Sequence, residues 1–467
     1  MATATAAAPA VAAMAAAGED ALASLRAAAA AILARGGAPT AAAKEEYAGL
    51  MARWAAAGGP ADDAVVAVGS AVYGVEAAAA AKPAAEAKAA APAVAYARVD
   101  FDFLEGFMKD VFVQYGVPDE EAVTAAKVLI ESDKRGIDSH GIGRLNPIYC
   151  QRLKAGIMKP TAPFEVVKET PSTAVIDGHM GLGLVIGPRA MDMCIAKAKE
   201  VGVAMVVVRN STHYGMAGYY PLMAVAKGCI GFTGTNARPS IAPLGGVQPM
   251  LGTNPITFGC GSDDPFPYVL DCATSINQRG KIERYAREGM PTPAGQVIDK
   301  QGVVRTDTDG ILKDLTTRNC ALAPLGGVSM DTGAHKGTGY ATVCEILSTA
   351  LQGNPTSPEL TGVDQATGKP APMPLGHWFI AVDVARFTEV STFESRVGGL
   401  LRELRASEKN PKGDGEIMTA GEPEHRAWTE RSQNGGTLVP PALQKDMVNL
   451  RAQFPALQDK YAKFSWE

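Results

Sequence analysis

Between residues 97 and 136 apolar side chains recur at three- and four-residue steps. In "VDFDFLEGFMKDVFVQYGVP", Phe103, Leu104, Phe107, Met108, Val111 and Tyr115 form one stripe, the period of a helix packed on a single face. Pro118 stands where a helix can start, and "DEEAVTAAKVLIESDKRG" runs on to Gly136, a natural C-cap. Leu145, Ile148, Tyr149 and Leu153 again share a helical face, closed by Gly156. Beyond residue 170 the period changes. "TAVIDG" reads as a strand, "PRAMDMCIAKAKEVG" as a helix and "VAMVVVRN" as a buried strand; "MAGYYPLMAVAKG" is helical and "IGFTGTN" is again a strand. Later, "YVLDCAT" and "HWFIAVDV" add two strands and "STFESRVGGLLRELRAS" a helix. Such alternation predicts one interleaved α/β unit over residues 97–467, with a helical N-terminal piece.

Upstream of residue 97 the pattern is of another kind. Alanine dominates the first 96 residues, and 18–35 and 40–57 are expected to be helical, with 76–96 a linker. These stretches offer few large side chains to bury, so the chain divides into an Ala-rich extension, 1–96, and a catalytic body, 97–467. Composition then narrows the functional class. With 47% hydrophobic and 20% charged residues and a net charge of −5, the 467-residue chain gives no electrostatic reason to expect nucleic acid or an acidic membrane surface as partner. It has no apolar run fit to span a bilayer. The seven cysteines are odd in number and lack a CxxC pair, which disfavours a disulfide framework or structural zinc and predicts free thiols in a reducing, cytoplasmic setting. The N-terminus lacks the basic and leucine-rich regions of a secretory signal; organellar import through it stays open.

Three stretches carry candidate chemistry. "GIDSHGIGR" (136–144) sets Ser139, His140 and Arg144 among glycines. If Asp138 or Ser139 caps the following helix, His140 occupies its first turn and Arg144 lies four residues on, over the same face. A helix N-terminus disfavours imidazolium and favours anions. The pair would then suit proton exchange with a substrate oxygen beside a bidentate grip on a carboxylate. The same residues would equally make a capped helix start with a surface histidine and arginine. His213, in "VVVRNSTHYGMAGYY", follows a strand and precedes a helix, where α/β sheets place their binding crevices; pinning the loop is its alternative role. "GHMGLGLVIG" (178–187) misses the dinucleotide spacing by one residue and reads as a tight turn. In "GAHKGTGY" (333–340), Lys336 precedes a helix and suits an anion. No histidine spacing fits a metal and no GxSxG elbow occurs.

"SDKRGIDSHGIGRLNPIYCQRLKAGIMKP", "RNSTHYGMAGYY", "APLGGVQPMLGTNPITF", "LDCATS", "RGKIERYAREGMPTP" and "VIDKQGVVRTD" occur in this order. Together they resemble the malate/L-lactate dehydrogenase family, over about residues 97–430. The resemblance implies a non-Rossmann α/β fold, layered α/β/α with a mixed sheet. It also implies NAD- or NADP-dependent hydride transfer to or from a small 2-hydroxy or 2-oxo acid, and a homodimer with the site near the subunit interface. Laid on matching residues, it makes His140 and His213 the proton-exchanging histidines, flanked by Ser139, and Arg144 the holder of the substrate carboxylate. The cofactor is expected at Ala237, at Asp271, Cys272 and Ala273, at Lys336, and at Gly421 with Glu422. Bound metal is not expected.

On this reading the cofactor carries the hydride and a histidine protonates the forming alkoxide, with His213 the nearer base and His140 polarising or relaying. The substrate is malate/oxaloacetate or lactate/pyruvate. The alternatives are a reductase of a cyclic imino carboxylate or of another 2-oxo acid, and a non-catalytic binding protein.

Overall fold

The computed structural model describes residues 96–467 apart from positions 365 and 414, together with Ala27, 47–50 and Arg53. The chain separates into two compact units, Met1–Val94 and Ala95–Glu467. The helices expected over 18–35 and 40–57 and the linker 76–96 otherwise lie outside the described residues.

The second unit opens with β1 (Ala97–Val99), α1 (Phe101–Gln114) and α2 (Asp119–Lys134). Then follow β2 (Glu165–Glu169), β3 (Thr173–Asp177), α3 (Gly183–Val201), β4 (Val203–Ser211), α4 (Tyr219–Val225), β5 (Cys229–Thr235), β6 (Ile256–Cys260) and β7 (Tyr268–Cys272). Next come α5 (Arg279–Glu288), β8 (Val297–Asp299), α6 (Thr308–Thr317), β9 (Cys320–Leu322), α7 (Ala334–Ser348) and β10 (Leu375–Asp383). The chain closes with α8 (Val390–Arg405), α9 (Glu422–Gln433), β11 (Thr437–Val439), α10 (Pro441–Gln453) and α11 (Pro455–Lys460).

A seven-stranded sheet in the order β2-β3-β4-β10-β5-β6-β7 forms the centre. Only β3 and β4 run parallel; the other pairings are antiparallel. The sheet is therefore mixed, as expected, but mostly antiparallel. The valine run of β4 explains the layering. Successive side chains of a strand point to opposite faces. Val206 and Val208 pack with Ile186, Met191 and Cys194 of α3, whereas Val207 packs with Cys344 of α7 and Trp378. A strand apolar at consecutive positions is buried on both faces, which makes the three layers α/β/α.

The helical piece has its own core. Leu104, Phe107, Met108 and Val111 of α1 meet Ala125, Val128 and Leu129 of α2 and Met447 and Leu450 of α10. The pairing of β1 with β11 returns the C-terminal region to this piece. Two local expectations change. The helix expected to begin at Pro188 starts five residues earlier, at Gly183, so the turn in "GHMGLGLVIG" is confined to its first residues, where His179 and Met180 have positive φ. And the helix after the "DSHG" stretch is irregular: a 3₁₀ turn Ile142–Arg144, a π-helix Leu145–Cys150, then one α turn Gln151–Lys154.

Candidate active site

The C-terminal end of β4 delivers the first histidine. Thr212 anchors the loop that follows: its hydroxyl donates to the Gly181 carbonyl at 2.9 Å and accepts the Gly183 N–H at 3.0 Å. A Cβ on Gly183 would overlap the carbonyl oxygens of Thr212 and His213, so only glycine lets α3 start against this loop. Below it His377, buried in β10, donates from Nε2 to the Thr212 carbonyl at 3.1 Å. Burial pushes its pKa down to about 3, so it supports the loop as a neutral ring.

His213 itself faces a cavity of about 240 Å³ that His140 also lines. The two imidazoles stack with centroids 5.7 Å apart and an interplanar angle of 18°. Nδ1 of His213 accepts the Gly215 N–H at 3.3 Å and lies 2.6 Å from the Tyr149 hydroxyl. A backbone N–H can only donate, so Nδ1 is unprotonated and the neutral ring carries its proton on Nε2. Tyr149 belongs to the π-helix Leu145–Cys150, a form rare in proteins and frequent at functional sites. Nδ1 of His140 lies 2.8 Å from the Ser139 hydroxyl. Burial and then the nearby Arg144 guanidinium push the His140 pKa down to about 4. His213 is held well below the ordinary histidine value, by burial first and then by His140, Arg152 and Arg144. Both rings are neutral at pH 7.

The loop carrying His140 is held from beneath. Neither Asp138 nor Ser139 caps a helix: Gly141 is the N-cap of the 3₁₀ turn, and His140 precedes it. The depressed His140 pKa thus comes from burial and Arg144, not from a helix dipole. Asp138 is instead gripped by Arg431 of α9, at 2.6 and 3.0 Å. The buried Asp133 carboxyl at the end of α2 accepts the Ile142 N–H at 2.8 Å, and a Cβ on Gly141 would overlap it. Arg144 is half-buried; its Nε donates to the Ser139 carbonyl, and no carboxylate lies within ion-pair distance among the described residues. The guanidinium ends are left for an incoming anion.

Of the residues expected to hold a cofactor, Ala237, Asp271 and Ala273 line the histidine cavity. Cys272 falls between two of them on a strand, so its thiol points elsewhere, to the Ile256 carbonyl at 3.7 Å. Asp271 is also an internal pin, accepting the Gly218 N–H at 2.6 Å and the Thr257 hydroxyl at 3.2 Å; burial raises its carboxyl pKa despite both bonds. An adjoining cavity of about 150 Å³ is lined by Gly421 and Trp428. Ile137, Met216, Asp271 and Glu424 line both cavities, making one elongated trough. Glu422 is not in it: its buried carboxylate pairs with Arg426 at 2.7 Å and accepts the Thr419 N–H at 3.3 Å. Glu424, two residues on, faces the trough instead. Lys336 lies in the first turn of α7, exposed, and lines no described cavity. Sequence reading missed Tyr149, Glu424 and Asp133. Tyr149 had been assigned to an apolar helix face, and neither acidic residue has a sequence signal separating it from its neighbours. Among the described residues no cluster of His, Cys, Asp or Glu could hold a metal ion.

The family model for malate/L-lactate dehydrogenase matches residues 99–447. The malate dehydrogenase of Pyrococcus horikoshii is 38% identical over 317 residues, covering 68% of this chain and 85% of the relative. The L-sulfolactate dehydrogenase of Methanocaldococcus jannaschii is 40% identical over 322 residues, covering 69% and 88%. The crystal structure of malate dehydrogenase from Entamoeba histolytica superposes with a TM-score of 0.74 at 38% identity, covering 77% of this chain and 98% of that one. An α/β oxidoreductase with paired neutral histidines beside an arginine that has no acidic partner among the described residues is the class that fold and site define. The chain belongs to the malate/L-lactate dehydrogenase family. It is an enzyme acting on the CH–OH group of hydroxy acids, and dehydrogenases of this family use nicotinamide cofactors.

Proposed function

We propose that the chain interconverts a small 2-hydroxy acid and its 2-oxo acid, malate/oxaloacetate or lactate/pyruvate, with NAD or NADP as hydride carrier. The observation that carries this reading is the pair of stacked, neutral histidines beside a guanidinium that has no acidic partner among the described residues. When bound, the nicotinamide supplies or accepts the hydride. Ala237, Asp271, Ala273, Gly421 and Glu424 would hold it along the trough, whose two joined cavities suit an elongated dinucleotide. Arg144 takes the substrate carboxylate, the bidentate partner for which guanidinium is shaped.

The tautomers divide the labour between the histidines. The His213 Nε2–H donates a hydrogen bond to the reacting oxygen. The Ser139 hydroxyl can accept a hydrogen bond from His140 Nδ1 as well as donate one; in the tautomer in which it accepts, His140 keeps an Nε2 lone pair that takes the hydroxyl proton during oxidation and returns it during reduction. This proposal departs from the expectation that His213 is the nearer base: with Nδ1 accepting the Gly215 N–H, the neutral His213 ring already carries its proton on Nε2 and offers no lone pair there.

The same reading keeps 1–96 as an extension separate from the catalytic body 97–467, and the working unit as a homodimer. Residence in the cytoplasm is supported by the free state of all seven cysteines. Steady-state turnover of malate, lactate, oxaloacetate and pyruvate with each of the two cofactors tests the function. The reading holds if one hydroxy/oxo acid pair is turned over; activity on none of them overturns it.

A further inference from the structure

Glu345, buried in the last turn of α7, is an acid that the proposed chemistry does not use. The helix dipole disfavours an anion at that end, so its hydrogen-bond donors are what hold it there. Three converge on its carboxylate: the Asn254 amide at 2.8 Å, the Ser357 N–H at 2.5 Å and the Ser357 hydroxyl at 2.7 Å. That hydroxyl also lies 2.8 Å from the Ala237 carbonyl and offers its one proton to both. Asn254 gives its other amide hydrogen to the Ala341 carbonyl at 3.1 Å, one turn back along α7. Its own backbone has φ of 34°, a conformation that a non-glycine residue keeps only where its surroundings hold it.

What these residues border gives the cluster its meaning. Thr253 and Pro255, on either side of Asn254, line the histidine cavity, and so does Ala237. Beside Glu345, the Cys344 thiol lies 3.3 Å from the Pro255 carbonyl and 3.5 Å from that of Thr235, another lining residue. One end of α7 therefore holds both the end of β5 and the loop before β6 where they wall the cavity. The loops of His140 and His213 are fixed by other groups, Asp133 and Arg431 for one and Thr212 for the other. We propose that Glu345 is a positioning residue for the cofactor. Through Asn254 and Ser357 it sets the distance between the Ala237 wall and the Thr253–Pro255 wall, and with it how a nicotinamide ring is seated. The proposal rests on the reading that a nicotinamide cofactor lies in this cavity against Ala237. Hydrogen bonds to a carboxylate are shorter and stronger than neutral ones, so this acid makes a stiffer clamp than an amide would.

The test is the Kd of NADH and of NADPH, read by nicotinamide fluorescence on the full chain. Beside it stand a melting curve and, at saturating cofactor, kcat and KM for oxaloacetate and pyruvate. In Glu345→Gln the side chain can keep the Ser357 N–H but sets its NH₂ against that of Asn254. Binding of the cofactor that the wild type prefers is expected to weaken about tenfold, the worth of one hydrogen bond to a charged group. The kcat should fall with it, while KM for the oxo acid stays unchanged because Arg144 is held elsewhere. Ser357→Ala releases the Ala237 carbonyl and is expected to act in the same direction with less disturbance of the fold. Adding Asn254→Ala to Glu345→Gln should bring little further loss, since both remove one contact. Unchanged cofactor binding in Glu345→Gln, or in Ser357→Ala should the first variant not fold, overturns the proposal whatever the melting temperature. An equal rise in KM for the oxo acid also overturns it, as general damage to the cavity. Both results leave the dehydrogenase reading intact. Binding of neither nucleotide by the wild type overturns both readings together.

Discussion

The phenolic oxygen of Tyr149 lies 2.6 Å from Nδ1 of His213, on the nitrogen that also accepts the Gly215 N–H. Two donors on one lone pair lock the ring in the Nε2–H form and fix the direction in which it can act. Tyr149→Phe removes one of them while keeping the ring that packs edge-on against Phe112. The expected loss is about tenfold in kcat/KM at unchanged thermal stability, one hydrogen bond's worth. Steady-state kinetics beside a melting curve check it; unaltered kinetics would reduce Tyr149 to packing.

Replacing either histidine by alanine is expected to cost about 10²–10⁴-fold in kcat, the usual range for a proton-transfer group. The glutamine variants separate the roles. A side-chain amide donates a hydrogen bond but is no base. His213→Gln should therefore recover at least about tenfold over His213→Ala, and His140→Gln should be no better than His140→Ala. The reverse pattern would exchange the two assignments.

The pH profile follows from the His140 pKa, pushed down to about 4 by burial and Arg144. Oxidation requires the neutral ring, so kcat/KM for the hydroxy acid should stay level from pH 8 down to about 5 and fall only near 4. Reduction requires the protonated ring and should instead strengthen as the pH drops toward that value. His213, Arg144 and Ser139 face this ring. Removing the guanidinium charge in Arg144→Met should move the inflection upward. An inflection in the wild type at the ordinary histidine value would contradict the buried setting.

Asp133 gives a second pH signature, in stability. Burial pushes its carboxyl up to about 8; Asp138 adds to this, while the Ile142 N–H and Arg431 oppose it. The folded state thus holds a proton that the unfolded chain releases near 3.8. That contribution to stability is complete below the lower value and is lost as pH rises through the upper one. Asp133→Asn keeps an acceptor for Ile142 without titrating. The wild-type melting temperature should fall by several degrees between pH 6 and 8.5, and the variant's should not. Parallel curves would show that Asp133 does not titrate in this window.

Much of the sheet was legible in the chain itself. The "VAMVVVRN" run is β4, apolar at consecutive positions because helices cover both its faces. Periodicity records which side a residue buries, and that is enough to place α1, α2 and the β4–α4 loop bearing His213. It fails where local backbone follows a distant partner. The helix after His140 starts late and opens into a π-turn around a loop held by Asp133 and Arg431, the latter almost three hundred residues away in sequence. Likewise Glu422 and Glu424 are equivalent in sequence, and only the placement of α9 turns one to Arg426 and the other to the trough.

By itself the sequence determined the chemistry available: two histidines after distinct turns, an arginine four residues from one of them, and an α/β body to carry them. Those follow from residue type and spacing, which are local. Tertiary structure alone decided what each group does. It stacked the two rings, set Tyr149 and Gly215 on one nitrogen of His213, left Arg144 without an acidic partner among the described residues, and kept Lys336 and Glu422 out of the cavity. Proton affinity and tautomer depend on burial and on neighbours brought from afar, and no local pattern of residues encodes either.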